Sequence, residues 1–96
     1  MIRSYESMII LDPTLTQDEI EKENNKILDF IRDNGGDVVK TDVWGKRRLA
    51  YLINKKSEGF YLINYFQFDS KNTKVIEKFY QINERILRFN LINLEQ

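Results

Sequence analysis

Trp44-Gly45-Lys46-Arg47-Arg48-Leu49-Ala50-Tyr51-Leu52-Ile53 decides how this chain folds. The stretch reads as the far half of a long β-strand, Asp37 to Asn54, that carries three consecutive cations and then closes on core-type residues. After it, Asn54-Lys55-Lys56-Ser57-Glu58-Gly59 has hairpin-loop chemistry. Phe60 to Phe68 follows as a third strand, aromatic on both faces. Two strands joined by a hairpin thus sit at the centre of the chain, and everything else is arranged around them.

Upstream, Ile2 to Leu11 is dense in apolar residues on both sides, as in a central strand, and Asp12-Pro13 ends it because proline donates no ladder hydrogen bond. Thr16-Gln17-Asp18-Glu19 has capping-box form, and Ile20, Ile27, Leu28 and Ile31 follow at helical spacing, with Asn24 at the edge of that stripe. Gly35-Gly36 supplies a left-handed stop. Downstream, Asp69 or Ser70 caps a second helix with the stripe Val75, Ile76, Phe79, Tyr80 and Ile82, and Arg85 to Asn93 is a last strand. The order β-α-β-β-α-β predicts an α+β, ferredoxin-like domain over residues 1–96: a four-stranded antiparallel sheet with two helices on one face.

Composition restricts the chemistry. With no cysteine and no histidine, the usual zinc site, thiol nucleophile and imidazole base are excluded. A carboxylate or lysine enzyme is left, yet the acids cluster on the first helix (Asp18, Glu19, Glu21, Glu23, Asp29), where a solvated face and dipole compensation explain them. No catalytic residue, metal ligand or cofactor site is expected, and no apolar run is long enough to span a membrane. The net charge of zero hides a split: residues 1–45 carry five cations against ten acids, and residues 46–96 carry ten against five. Such a polar molecule presents one face to anions.

Two surfaces attract attention. The sheet face without helices carries Tyr61, Ile63 and Tyr65 from the third strand and Met8 and Ile10 from the first, an apolar surface suited to a protein partner. The alternative is that a long hairpin or the C-terminal end folds over it. Against an RNA-recognition motif, Glu58-Gly59-Phe60-Tyr61-Leu62-Ile63-Asn64-Tyr65 keeps the glycine but puts glutamate in the cation's place and leucine at a stacking site, so base stacking of that type is not expected. The second surface is basic. In an extended strand Lys46 and Arg48 point one way and Arg47 the other; Lys55 and Lys56 join them at the hairpin tip. Arg85 and Arg88 extend that edge from the last strand unless acids face them. Read as phosphate ligands, these cations make a nucleic-acid surface. Read as mere edge protection, they leave a module that self-associates through its open sheet face.

The motif Gly45-x-Arg47-x-Leu49-Ala50-Tyr51, preceded by Trp44, resembles the core of the bacterial small-subunit ribosomal protein S-six (S6) family. Tyr5-Glu6, Asp12-Pro13 and Asn83-Glu84-Arg85-Ile86-Leu87-Arg88 agree with it, so the resemblance spans essentially the whole chain. It implies a non-enzymatic structural constituent of the small subunit on the cytoplasmic ribosome. Its partners would be the central domain of small-subunit ribosomal RNA and, as a heterodimer, ribosomal protein S-eighteen (S18), with no membrane and no small-molecule substrate. Carried over to matching positions, it implies phosphate contacts from Arg3, Lys46, Arg47, Arg48 and Lys55, with Tyr51 near the RNA. Lys56 and Arg88 join on charge alone, and Trp44 and Gly45 shape the strand, Gly45 as a bulge. Leu52 stands where many members have proline, and Asn83 and Leu87 where some have cations.

Overall fold

A computed structural model describes residues 1–95. The chain runs β1 (Ile2–Leu11), α1 (Gln17–Asp33), β2 (Asp37–Ile53), β3 (Lys56–Asp69), a 3-10 turn (Ser70–Asn72), α2 (Thr73–Gln81) and β4 (Ile86–Asn93). The strands form one antiparallel sheet in the order β2-β3-β1-β4. Alternation on β1 sends Tyr5, Ser7, Ile9 and Leu11 to one face, and the register opposes them with Phe66, Asn64, Leu62 and Phe60 of β3. Ile20, Ile27 and Ile31 of α1 and Ile76 and Tyr80 of α2 close over that face to make the core. Each such side chain contributes about 1.5–3 kcal/mol by leaving water. This is the ferredoxin-like architecture that the order of elements predicts.

The helix ends follow local chemistry. Glu19 N–H donates to Thr16 Oγ1 (3.2 Å) while Thr16 N–H donates to Glu19 Oε1 (2.8 Å), a complete capping box. Polar groups inside the core are paired: Ser7 and Tyr80 hydroxyls share a 2.9 Å hydrogen bond, and burial pushes the Tyr80 phenol up to about 12. Asn64 accepts from Thr41 Oγ1 (2.6 Å) and donates to Asn24 Oδ1 (2.9 Å), which explains a polar residue beside the α1 stripe.

Several details differ from the sequence reading. The hairpin loop is two residues rather than six: Asn54 and Lys55 both have positive φ (49° and 66°), as in a type I′ turn, and Lys56 to Gly59 belong to β3. On α2 only Ile76 and Tyr80 are buried. Phe79 stacks on Phe30 of α1 (4.0 Å between centroids), while Val75 and Ile82 stay exposed. Nine residues give a helix one narrow buried stripe, filled here by an i, i+4 pair. Glu23, expected on a solvated face, is 3% exposed. It accepts from Asn83 Nδ2 (3.0 Å), Arg85 Nη1 (3.2 Å) and Lys26 Nζ (3.4 Å), and so ties α1 to the turn before β4.

The sheet face away from the helices is only partly open. β2 holds one extra residue at Val39 and another at Trp44, and between Arg48 and Ile53 it holds four residues against Ser57 alone. Bulges bend a strand and increase its twist. Tyr51, on one edge strand, consequently lies under the guanidinium of Arg88 on the other (5.4 Å to the ring centroid), although three strand spacings, about 14 Å, separate those edges in a flat sheet. Ile10, opposite Arg88, is covered to 8% exposure, and Ile53 to the same extent. The curled hairpin is therefore the element that folds over this face.

Candidate RNA and partner interface

The basic arm comes from β2 where it runs past the end of β1. Lys46, Arg47 and Arg48 face Phe60, Gly59 and Glu58 of β3, and all three are exposed. Lys46 follows Val43 on the helix side, whereas Arg47 shares the other face with Tyr61. Lys55 sits at the tip. Among the described residues none of these four cations has a carboxylate within ion-pair distance, whereas Lys26, Arg32, Lys40, Lys56 and Arg85 do. Free cations grouped on one arm make a site where an anion meets positive charge not already neutralised.

The remaining candidates divide. Lys56 is half-buried and paired with Asp12 (3.7 Å). Burial raises the Asp12 carboxyl, but hydrogen bonds from Thr14 N–H (2.9 Å) and Oγ1 (2.7 Å), with the Lys56 charge, hold it below its usual value. Asp12 thus stays ionised and keeps Lys56 at the base of the arm. Arg88 lies over Tyr51, so its charge sits beside the arm. Arg85, by contrast, faces Glu19 (3.7 Å) and Glu23 (3.2 Å) and is neutralised. Arg3 is elsewhere: it opposes Phe68, eight residues along β3 from the Phe60 that opposes Lys46, about 26 Å away.

Of the residues expected to meet a protein partner, Ile10 (8% exposed) and Ile63 (5%) are buried. Met8, Tyr61 and Tyr65 are half-buried, with Lys40 over the Tyr65 ring (4.9 Å). Apolar surface is instead displayed along edge strand β2, by Val39, Val43, Trp44, Tyr51 and Leu52. Trp44 stacks nearly parallel to Tyr61, 6.5 Å between centroids and 12° between planes. Sequence reasoning gave Trp44 only a shaping role; the signal for its exposure is Gly45 beside it, at φ +83°.

A cleft of about 530 Å³ opens between α1 and the turn before β4, but Glu23 within it is already bonded to three donors. Among the described residues no group of three acids is placed to hold a metal ion, and no helix is long and apolar enough to cross a membrane.

Fold and surface together define a class: a small ferredoxin-like α+β protein that displays a free cationic arm beside an apolar edge strand. Comparison with known proteins narrows it. The model of the family described as Ribosomal protein S6 matches residues 4–93. Small ribosomal subunit protein bS6 of Thermoanaerobacter pseudethanolicus is 41% identical over 95 residues, covering 99% of this chain and 100% of that one. The bS6 protein of Corynebacterium efficiens gives the same identity and coverage. The crystal structure of 30S ribosomal protein S6 from Thermotoga maritima superposes with a TM-score of 0.91 at 32% identity, covering 97% of this chain and 88% of that one. The chain belongs to the ribosomal protein S6 family, and the ribosome is its place of work.

Proposed function

We propose that this ribosomal protein is a purely structural component of the small subunit that binds the central domain of its ribosomal RNA jointly with ribosomal protein S18. The observation that carries the reading is the arm: Lys46, Arg47, Arg48 and Lys55 are exposed and unpaired among the described residues, while five cations elsewhere are neutralised. Arg88 and Tyr51 flank them, and Lys56 anchors the base of the arm rather than meeting RNA directly. Arg3, at the far end of the sheet, serves a separate contact. Val39, Val43 and Leu52 of β2, together with Met8, Tyr61 and Tyr65, offer the protein partner its surface. A chain of zero net charge draws little general attraction from RNA, so a basic partner supplies the remaining electrostatics.

The test is binding to a central-domain ribosomal RNA fragment, with and without S18, across a salt series. Tight binding that requires S18 and weakens at about 0.7–0.9 per phosphate contacted supports joint assembly through the arm. A folded protein that ignores the RNA in both cases, and instead dimerises as its concentration rises, favours self-association through the sheet.

A further inference from the structure

Trp44 is the chain's single tryptophan, and at 48% exposed on an edge strand it is not a core residue. It is the extra residue of the bulge between Val43 and Gly45, so that Trp44 and Gly45 together oppose Tyr61. Gly45 adopts φ +83°, and a Cβ there would meet nothing within 4 Å. Glycine is required for the direction of the backbone, not for space.

The bulge has a consequence for the arm. Positions 44 and 47 are three residues apart, and a regular strand would put them on opposite faces. One inserted residue reverses the parity beyond it, which brings Arg47 opposite Gly59 and onto the face where Trp44 lies against Tyr61. Gly59 and Tyr61 are neighbouring same-face positions on β3, about 7 Å apart. A flat aromatic pair is thereby set beside a guanidinium that donates to the Lys46 carbonyl (3.2 Å) and, among the described residues, has no carboxylate partner. Asp42, the acid nearest in sequence, is engaged by Lys40 (3.7 Å).

We propose that Trp44, backed by Tyr61, is a stacking platform for one unpaired nucleotide of the RNA, whose base lies on the indole while Arg47 takes its phosphate. The proposal rests on the function given above and names the nucleotide conformation that this part of the arm selects. Arg47 on the same face, with Lys46 and Arg48 beside it on the other face of the strand and none of the three ion-paired among the described residues, favours an RNA ligand over an apolar protein side chain. Every base offers a π-face, so the platform requires an unstacked base rather than a particular one.

The experiment titrates parent, Trp44→Ala, Trp44→Phe and Arg47→Ala proteins, each with S18, against the central-domain fragment over a salt series. It follows Trp44 emission in the parent and circular dichroism in all four. Trp44→Ala is expected to lose roughly 5- to 150-fold in affinity with its salt slope unchanged, because stacking releases no counterions. Trp44→Phe keeps most of the affinity, and Arg47→Ala lowers the slope by about 0.7–0.9. Indole emission is quenched when RNA is added, not when S18 alone is added. If the parent binds and Trp44→Ala binds within twofold of it, or emission responds to S18 alone, the platform is refuted while the basic arm stands. If the parent does not bind RNA at all, the proposed function falls and the platform with it.

Discussion

Gly59 lets the basic arm close on the sheet, and Gly59→Ala tests whether that closure is as tight as the geometry says. A Cβ at this position would overlap the Cγ2 methyl of Ile10 and touch Leu49 Cδ2 at 3.5 Å. The Ile10 methyl has no easy escape, because it branches at Cβ, where χ1 is stiff, and the residue is 8% exposed. Forcing one methyl into such a site costs about 1–3 kcal/mol. Gly59 is not at positive φ, so alanine fits its backbone and recovers about 0.4–1 kcal/mol by restricting the unfolded chain. Taking the middle of each range, the net loss is about 1.3 kcal/mol, which for a domain of this size lowers Tm by about 5–10 °C. Urea denaturation followed by circular dichroism measures it. The companion variant Ile10→Ala removes the obstructing methyl, so Gly59→Ala made in that background should be nearly neutral, a coupling of about 1–2 kcal/mol. A Gly59→Ala protein within about 0.3 kcal/mol of the parent, or a loss that persists in the Ile10→Ala background, would refute the reasoning.

Three further expectations come from the arm and the Glu23 clamp. Burial raises the Glu23 carboxyl, but Asn83, Lys26 and Arg85 outweigh it and hold the folded-state value below the usual one. Its contribution is therefore complete at neutral pH and lost as pH falls through the folded value; Glu23→Gln should destabilise most near pH 7 and converge with the parent in acid, as acid–urea titrations would show. Lys55 is held at φ +66°, which costs a non-glycine residue about 1 kcal/mol or more. Lys55→Gly should raise the urea midpoint while weakening RNA binding, separating the demands of the turn from those of the ligand. Arg88→Ala removes the charge above Tyr51 and should free the arm's outer half, seen as faster amide exchange at residues 49–53 with the β1–β3 ladder unchanged.

The legibility of this fold in its sequence varied with the range of the interaction. The α1 cap lay wholly within Thr16 to Glu19, and both of its hydrogen bonds span three residues. The order of elements likewise followed from local apolar density. The Asn54-Lys55 turn was missed because it lacks the glycine that usually marks a type I′ hairpin. Glu23 was misplaced because its partners Asn83 and Arg85 lie 60 and 62 residues away, and nothing near α1 announces them. Within the candidate site, the run Lys46-Arg47-Arg48 was plain, but which face each cation takes depends on a one-residue bulge. Burial of Ile10 depends on the curl those bulges accumulate. Arg3 joined the cation set by resemblance, and only the sheet register shows that it stands at the other end.

The central claim is that position on the arm, not positive charge in general, holds the RNA. Two charge-matched variants test it most directly: Lys46, Arg47 and Arg48 changed together to alanine, and Lys71, Lys74 and Lys78 of the second helix region changed likewise. The second set is also exposed and free of carboxylate partners among the described residues. Measured with S18 against the central-domain fragment, the arm variant should lose about 2–3 from the salt slope and roughly 50- to 170-fold in affinity at about 0.15 M, the worth of three counterion-releasing contacts taken down from about 1 M salt. The helix variant should match the parent to within a single contact. Equal losses from the two variants, or a full slope retained by the arm variant, would contradict the account.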